Sequence, residues 1–247
     1  MNIFLAGNDG YRKKRFDVHC SDIYVLESYH YVLSQEWMFP LFNQFKGFLL
    51  DSGAFTYMTS KKNDKVNWDK YIEDYADFIN RLDIKYFFEL DIDVIVGIKE
   101  VERLRAKLES LTGKKSIPVW HKARGLEYWK EMVKNYDYVA IGGIVTGEIK
   151  RSQYDVFYPL LKIAKENKCK VHGLGFTNLK GLEKYKFYSV DSTAWLSGNK
   201  FGAVYWFDGK TMQKKGKEAG QKVITKKVAM HNFTEWVKFS KYAENNL

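Results

Sequence analysis

The chain is poor in cysteine, in proline and in long apolar runs. Cys20 and Cys169 are its only cysteines, and no Cys-x-x-Cys occurs. That excludes a cysteine-rich structural zinc site. One disulfide at most could form, which a chain of 247 residues does not need, so a reducing compartment is expected. Three prolines and no Gly/Ser-rich stretch leave no linker at which to divide the chain, and a single domain over 1–247 is expected. No apolar run approaches the ~20 residues of a membrane helix. The start, Met1-Asn-Ile-Phe-Leu-Ala6, has a short apolar stretch with no basic region before it, so no secretory signal is expected. These absences together point to a soluble, cytoplasmic protein with no membrane partner.

What the chain does have is apolar residues and positive charge. Hydrophobic residues make up 45% and aromatics 17%, enough for a sizeable core. The formal net charge is +10, which favours a polyanionic partner, nucleic acid first. Short apolar runs recur along the chain: Ile3 to Ala6, Gly47 to Leu50, Tyr86 to Leu90, Ile117 to Trp120, Tyr138 to Ile141, Val171 to Leu174, Phe187 to Val190 and Ala203 to Phe207. Helical patterns lie between most of them, as in Trp68 to Leu82 and Ile98 to Leu111. Residues 22 to 45 read as helical with a break near Pro40. Strands alternating with helices make a parallel sheet. Eight strands at this length predict a closed (β/α)8 TIM barrel, with an open doubly wound sheet as the alternative. The alternative lacks a glycine-rich dinucleotide loop after the first strand.

The polar residues then fall at strand ends. Asp51, Asp91, His121, Gly142, Gly143, His172 and Asp191 all lie at or near the C-terminal end of a predicted strand. A barrel gathers such ends around one pocket. Two carboxylates there could divide a glycosidic exchange between a nucleophile and a proton carrier. The N–H groups of Gly142 and Gly143 could donate to a carbonyl oxygen. Asp91 could accept from a planar base, and Phe55 could stack on it. Asp91, Asp93, His121 and His172 could equally hold a metal. Basic runs follow the first, second and eighth strands: Arg12, Lys13, Lys14 and Arg15; Lys61, Lys62 and Lys65; and residues 210–227 with Lys214, Lys215 and Lys217. In a closed barrel those loops adjoin, giving a positive arc suited to a phosphate backbone.

Five segments carry a resemblance. Leu50-Asp-Ser-Gly-Ala-Phe55, Leu90-Asp-Ile92, Ile141-Gly-Gly-Ile-Val-Thr-Gly-Glu148, Val171-His-Gly-Leu-Gly175 and Val190-Asp-Ser-Thr-Ala-Trp195 occur in that order. They resemble the DSGGF/Y, LDIPT, GGLAVGE, HLFGAG and FDSAAY segments of the tRNA-guanine transglycosylase superfamily. The resemblance implies that Asp191 is the nucleophile and Asp51 the general acid/base. It implies that Asp91, Gly142 and Gly143 read the purine and that Phe55 stacks on it, with Ser52, His121, His172 and Gly173 also at the base. His172 stands where the family has Met or Phe, and His121 near a position that is often Gln. The family's CxCxxC…H zinc subdomain is missing. A compact, zinc-free, basic chain resembles the DNA-acting branch found in phages and bacterial islands, which exchanges guanine in DNA for a 7-deazaguanine such as the 7-cyano derivative. The implied partners are DNA, less readily tRNA, with guanine and 7-deazaguanine bases, and no cofactor or metal. A tRNA-guanine transglycosylase without its zinc subdomain, a metal-dependent barrel hydrolase of a phosphorylated small molecule and a non-catalytic nucleic-acid binder remain the competing readings.

Overall fold

Nine strands form in the computed structural model, which describes residues 1–7, 12–54, 56, 66–176, 178–197, 202–218 and 224–247, Arg12 and Lys14 by their backbone alone. Seven of them make one parallel sheet: β1 (Asn2–Ala6), β2 (Tyr24–Ser28), β3 (Gly47–Asp51), β4 (Val119–Trp120), β5 (Tyr138–Ile141), β6 (Lys170–Gly173) and β7 (Ser189–Ser192). The order is β3-β2-β1-β7-β6-β5-β4. The sheet is open and curls into a half-barrel. The short strands are near-continuous apolar runs because both of their faces are covered.

The closed eight-stranded barrel expected from the sequence is therefore corrected in three places. Tyr24–Ser28, expected as helix, is a full strand between β1 and β3. Tyr86 to Leu90, expected as a strand, makes one isolated bridge to β3 at Leu50 and one to Ile117, just before β4. It spans the open side of the sheet without becoming a strand of it. The expected eighth strand leaves the sheet altogether. It is β8 (Val204–Phe207), paired antiparallel with β9 (Met212–Lys215). Its edge is taken by side chains of the last helix: Tyr205 N–H donates to Asn232 Oδ1 at 2.9 Å and Phe207 N–H to Glu235 Oε2 at 2.8 Å. Both side chains are buried, so the helix satisfies backbone donors that a sheet neighbour would otherwise take.

Helices cover the convex side. They are α1 (Arg12–His19), α2 (Trp68–Arg81), α3 (Ile98–Thr112), α4 (Gly125–Asn135), α5 (Phe157–Glu166) and α6 (Thr225–Asn246), with single turns between. In α2, Ile72, Tyr75, Ala76 and Ile79 recur at helical spacing and are buried. Asn67 caps its start by accepting from Lys70 N–H at 3.0 Å. Helix α3 ends at Gly113, whose φ of 65° supplies the left-handed turn. The concave side holds a second, smaller cluster: Phe4, Ala6, Leu26, Leu49, Phe88, Ile117, Val119 and Ala140. Among the described residues, no helix is long and apolar enough to cross a membrane.

Candidate active site

Strand alternation builds the site. Side chains two apart share a face, so the concave face that carries Leu49, Val119, Ala140 and Leu174 also carries Asp51, His121, Gly142 and His172. Apolar residues fill the floor and polar ones stand at the strand ends, except on β6, where His172 is buried in the floor and Leu174 lies above it.

Asp51 closes β3. Gly53 N–H donates to its Oδ2 at 3.1 Å. Gly53 has a φ of +76°, and a Cβ there would lie 2.8 Å from His30 N, so only glycine lets the chain fold back onto the carboxylate. Tyr71 Oη donates to Ser52 O at 2.6 Å, and the fully buried Tyr75 Oη lies 3.2 Å from both Leu50 O and Phe88 O. Helix α2 thus pegs the strand end and the spanning segment together. Ser52 itself is 1% exposed. The Asp51 carboxyl is pushed up to about 6, first by burial and then by the negative charges of Asp91 and Asp191, against hydrogen bonds from Gly53 and Ser28. The structure thus brings Asp51 within the field of both Asp91 and Asp191.

Asp91 Oδ1 lies 2.6 Å from His121 Nε2, and His121 Nδ1 lies 3.0 Å from Glu148 Oε2. Burial works against charge on this ring. The hydrogen bond and charge of Asp91, with Glu148 and Asp93, outweigh it and raise the pKa to about 9. Glu148 also accepts from Ala123 N–H at 3.0 Å. Sequence reasoning passed over Glu148, although it ends the quoted segment that begins at Ile141. The two glycines of that segment make room for the pair. A Cβ on Gly142 would sit 2.8 Å from His121 Cε1, and one on Gly143 would sit 2.6 Å from Glu148 Oε2. Gly142 N–H already donates to Trp120 O at 2.9 Å. Of the expected pair of backbone donors, its N–H is therefore committed to the sheet.

Beneath Asp91 lies a network that sequence reasoning also missed. Glu89 is fully buried. It accepts from Arg124 Nη1 and Arg105 Nη1 at 3.0 Å each and from Val119 N–H at 2.8 Å. Burial raises its pKa, and the two guanidinium groups oppose that. Arg124 Nε also donates to Asp93 at 2.9 Å. No local pattern reveals such partners, because they lie on four different segments.

Asp191, on β7, is 7% exposed. Its Oδ1 accepts from Gly175 N–H at 2.5 Å and lies 3.2 Å from His172 Nε2. His172 is fully buried, with Nδ1 2.7 Å from Ser189 Oγ. It therefore lies below Asp191 and has no open face for a base, so the expected contact of His172 with the base is not one that its placement offers. Gly173 is turned to the convex side, where a Cβ would meet Phe176 and Phe187 at 3.1 and 3.2 Å. Phe55 lies outside the described residues.

No protein-family model matches the chain, and no curated protein matches it.

The site is left to its own chemistry. Asp91, Asp93 and His121 bring one ligand atom each within 4.8 Å of one another, the grouping expected of a metal site. Cationic groups already face it. Arg124 holds Asp93 and approaches Asp91 Oδ1 at 3.8 Å, and both His121 nitrogens are on carboxylates. His172, the fourth expected ligand, is with Asp191 instead. The cluster fits a hydrogen-bonded ion network better than a metal cage.

The basic residues are scattered more widely than a closed barrel would place them. Lys13 is exposed. Arg15, expected on a phosphate, is buried, its guanidinium 4.6 Å from the Trp195 ring centroid and 5.2 Å from that of Phe233; burial lowers its pKa to about 10. Lys214 and Lys215 stand exposed on β9 and Lys217 just beyond it, on a hairpin that does not adjoin β1 in the sheet. Lys215 and Lys217 line a groove of about 470 Å³ with Trp206, Ile224 and Lys227, which shares no residue with the aspartate cluster. Lys61, Lys62 and the side chains of Arg12 and Lys14 lie outside the described residues.

Proposed function

We propose that the protein is a base-exchange transglycosylase that replaces guanine in DNA with a 7-deazaguanine, through a covalent aspartyl-glycosyl intermediate. The observation that carries this reading is the unequal treatment of two carboxylates on the concave face of one sheet. Asp191 receives hydrogen bonds at one oxygen, as a nucleophilic carboxylate needs. Asp51 is pushed up to about 6 by burial and by its neighbours' charge, as a proton carrier near neutral pH needs. The resemblance of five ordered segments to the tRNA-guanine transglycosylase superfamily supports the same assignment.

In this mechanism the target guanosine leaves the stack, at a cost of a few kcal/mol. Asp191 attacks C1′ while the C1′–N9 bond breaks, and Asp51 delivers a proton to the departing guanine. The incoming 7-deazaguanine returns its N9 proton to Asp51, and N9 attacks C1′ and frees Asp191. One glycosidic bond replaces another, so no nucleotide hydrolysis is required. Asp91 accepts hydrogen bonds from the base edge, oriented by His121. Phe55 is the residue proposed to stack on the base.

The test offers purified protein labelled guanine with DNA or with tRNA, and 7-cyano-7-deazaguanine as competitor. Label entering DNA, suppressed by the competitor, is the expected outcome. Label entering tRNA alone would move the reading to the RNA substrate, and label entering neither would remove it. Activity lost to a chelator and restored by a divalent cation would revive the metal reading of Asp91, Asp93 and His121.

A further inference from the structure

A row of polar groups runs through the concave core below Asp191. Tyr138 Oη on β5 lies 2.5 Å from Ser189 Oγ on β7. Ser189 Oγ lies 2.7 Å from His172 Nδ1 on β6, and His172 Nε2 lies 3.2 Å from Asp191 Oδ1. Ser189 and His172 are fully buried. The imidazole sits among rings, with Phe4 and Phe88 at centroid distances of 5.9 and 5.5 Å. Register places His172 directly opposite Ser189 across β6 and β7. A polar row in an apolar layer costs stability unless every member is hydrogen-bonded, and here each one is.

The direction of the row follows from valence. A carboxylate oxygen only accepts, so Nε2 carries a ring proton and donates to Asp191. Ser189 Oγ can donate or accept, so the singly protonated ring is the form in which Nδ1 accepts from Ser189 O–H. Ser189 Oγ in turn accepts from Tyr138 O–H, whose pKa burial raises, so the proton stays in place. The opposite ring tautomer would set an Nε2 lone pair against the carboxylate.

We propose that His172 is a positioning residue for Asp191, and that Ser189 and Tyr138 hold it in the tautomer that donates from Nε2. The role rests on the reading of Asp191 as nucleophile. With Oδ1 held by His172 and the Gly175 N–H, no donor among the described residues reaches Oδ2, and Oδ2 is the attacking oxygen. In the first step C1′–N9 breaks and C1′–Oδ2 forms. Oδ1 is then the carbonyl oxygen of the glycosyl ester, still facing the same two donors. They keep that ester polarised, so the carboxylate leaves readily when N9 of the incoming base attacks. The row thus serves both half-reactions without moving a proton along itself.

The experiment has two arms. Long-range ¹H–¹⁵N NMR of the His172 ring in the wild-type chain should show Nε2 protonated and Nδ1 bare, and Ser189→Ala should give a mixture of tautomers. In exchange kinetics, His172→Leu should lower kcat about 10–100-fold with KM for guanine held within about twofold. His172→Gln, whose amide N–H can reach the same oxygen, should recover most of that loss, and Tyr138→Phe should fall between. A wild-type ring proton on Nδ1 overturns the proposal, as does a folded His172→Leu with wild-type kcat. If His172→Leu does not fold, His172→Gln and Tyr138→Phe read the same quantity. If the wild type exchanges no guanine, the transglycosylase reading fails and the role in catalysis with it. The NMR arm needs no turnover, and an Nε2–H ring that Ser189→Ala leaves unmoved removes by itself the role given to Ser189 in holding the tautomer.

Discussion

His121 Nε2 lies 2.6 Å from Asp91 Oδ1, while the other nitrogen of the same ring lies 3.0 Å from Glu148 Oε2. Both nitrogens face acceptors, so both donate and the ring is an imidazolium. Asp91 is thereby oriented by a cation that is itself held from its far side.

The pairing has a pH signature. The His121 pKa rises from 6.5 to about 9 in the folded chain, so folding favours its protonated form. The stability gained is fully present below pH 6.5 and is lost as pH rises through 9. The ring is 13% exposed, and the effect is expected at ~1–3 kcal/mol. Denaturant midpoints from pH 6 to 10 should fall more steeply for wild type than for His121→Gln. Parallel curves would count against the imidazolium.

Asp51 has the same sign for a different reason. Its folded pKa of about 6 lies above the ordinary 3.8, so its contribution is present below pH 3.8 and lost as pH rises through 6. At pH 8 the folded chain holds a charge that it disfavours. Asp51→Asn should therefore be more stable than wild type at pH 8 by ~1–3 kcal/mol, converging toward pH 4. Exchange should fall about 10²–10⁴-fold in the same variant. Stability lost at pH 8 would contradict the raised pKa, and retained exchange would contradict the proton role.

Asp191→Asn keeps an oxygen for Gly175 and His172 but removes the nucleophile. Guanine exchange should drop by about 10⁴-fold or more, and no denaturation-resistant protein–DNA adduct should form with a slow-turnover substrate. Circular dichroism and melting should stay near wild type. Wild-type exchange in this variant would reassign the nucleophile.

Glu89 sits between Arg105 and Arg124, and its side chain is fully enclosed. Glu89→Ala leaves two largely buried guanidinium groups without their shared counter-charge. A loss of about 3–5 kcal/mol is expected, read from urea unfolding at pH 7. A change below ~1 kcal/mol would mean that water or another acid takes its place.

If the exposed lysines of the β8–β9 hairpin contact phosphates, each contact removed should flatten the dependence of log K on log salt by about 0.9. Replacing Lys214, Lys215 and Lys217 by alanine, with fluorescence anisotropy on a DNA duplex from 50 to 300 mM salt, measures it. An unchanged slope would place the DNA elsewhere.

Much of the site was legible because strand alternation and residue chemistry are local. Leu49 and Asp51, or Val119 and His121, stand two apart at the end of an apolar run, and that spacing alone puts an apolar and a polar group on one face. The architecture was less legible. Tyr24–Ser28 has the composition of a strand, but its neighbours carry helical spacing, and only pairing with Phe4 to Ala6 on one side and Gly47 to Asp51 on the other selects the extended form. Ala203 to Phe207 reads as a sheet strand, yet Asn232 and Glu235 from the last helix take its backbone donors. Arg15 reads like its three basic neighbours, and only Trp195 and Phe233, far along the chain, bury it.

By itself, the sequence determined the recurrence of short apolar runs between helices, the polar residues Asp51, Asp91, His121, His172 and Asp191 set in or just after those runs, and the positive charge. Tertiary structure alone decided that the sheet stays open, that Glu148 closes on His121, that Glu89 gathers two arginines, and that His172 supports Asp191 from below. The physical reason is range: propensity and periodicity act between neighbours in sequence, whereas burial and hydrogen-bond partners depend on which distant segments arrive.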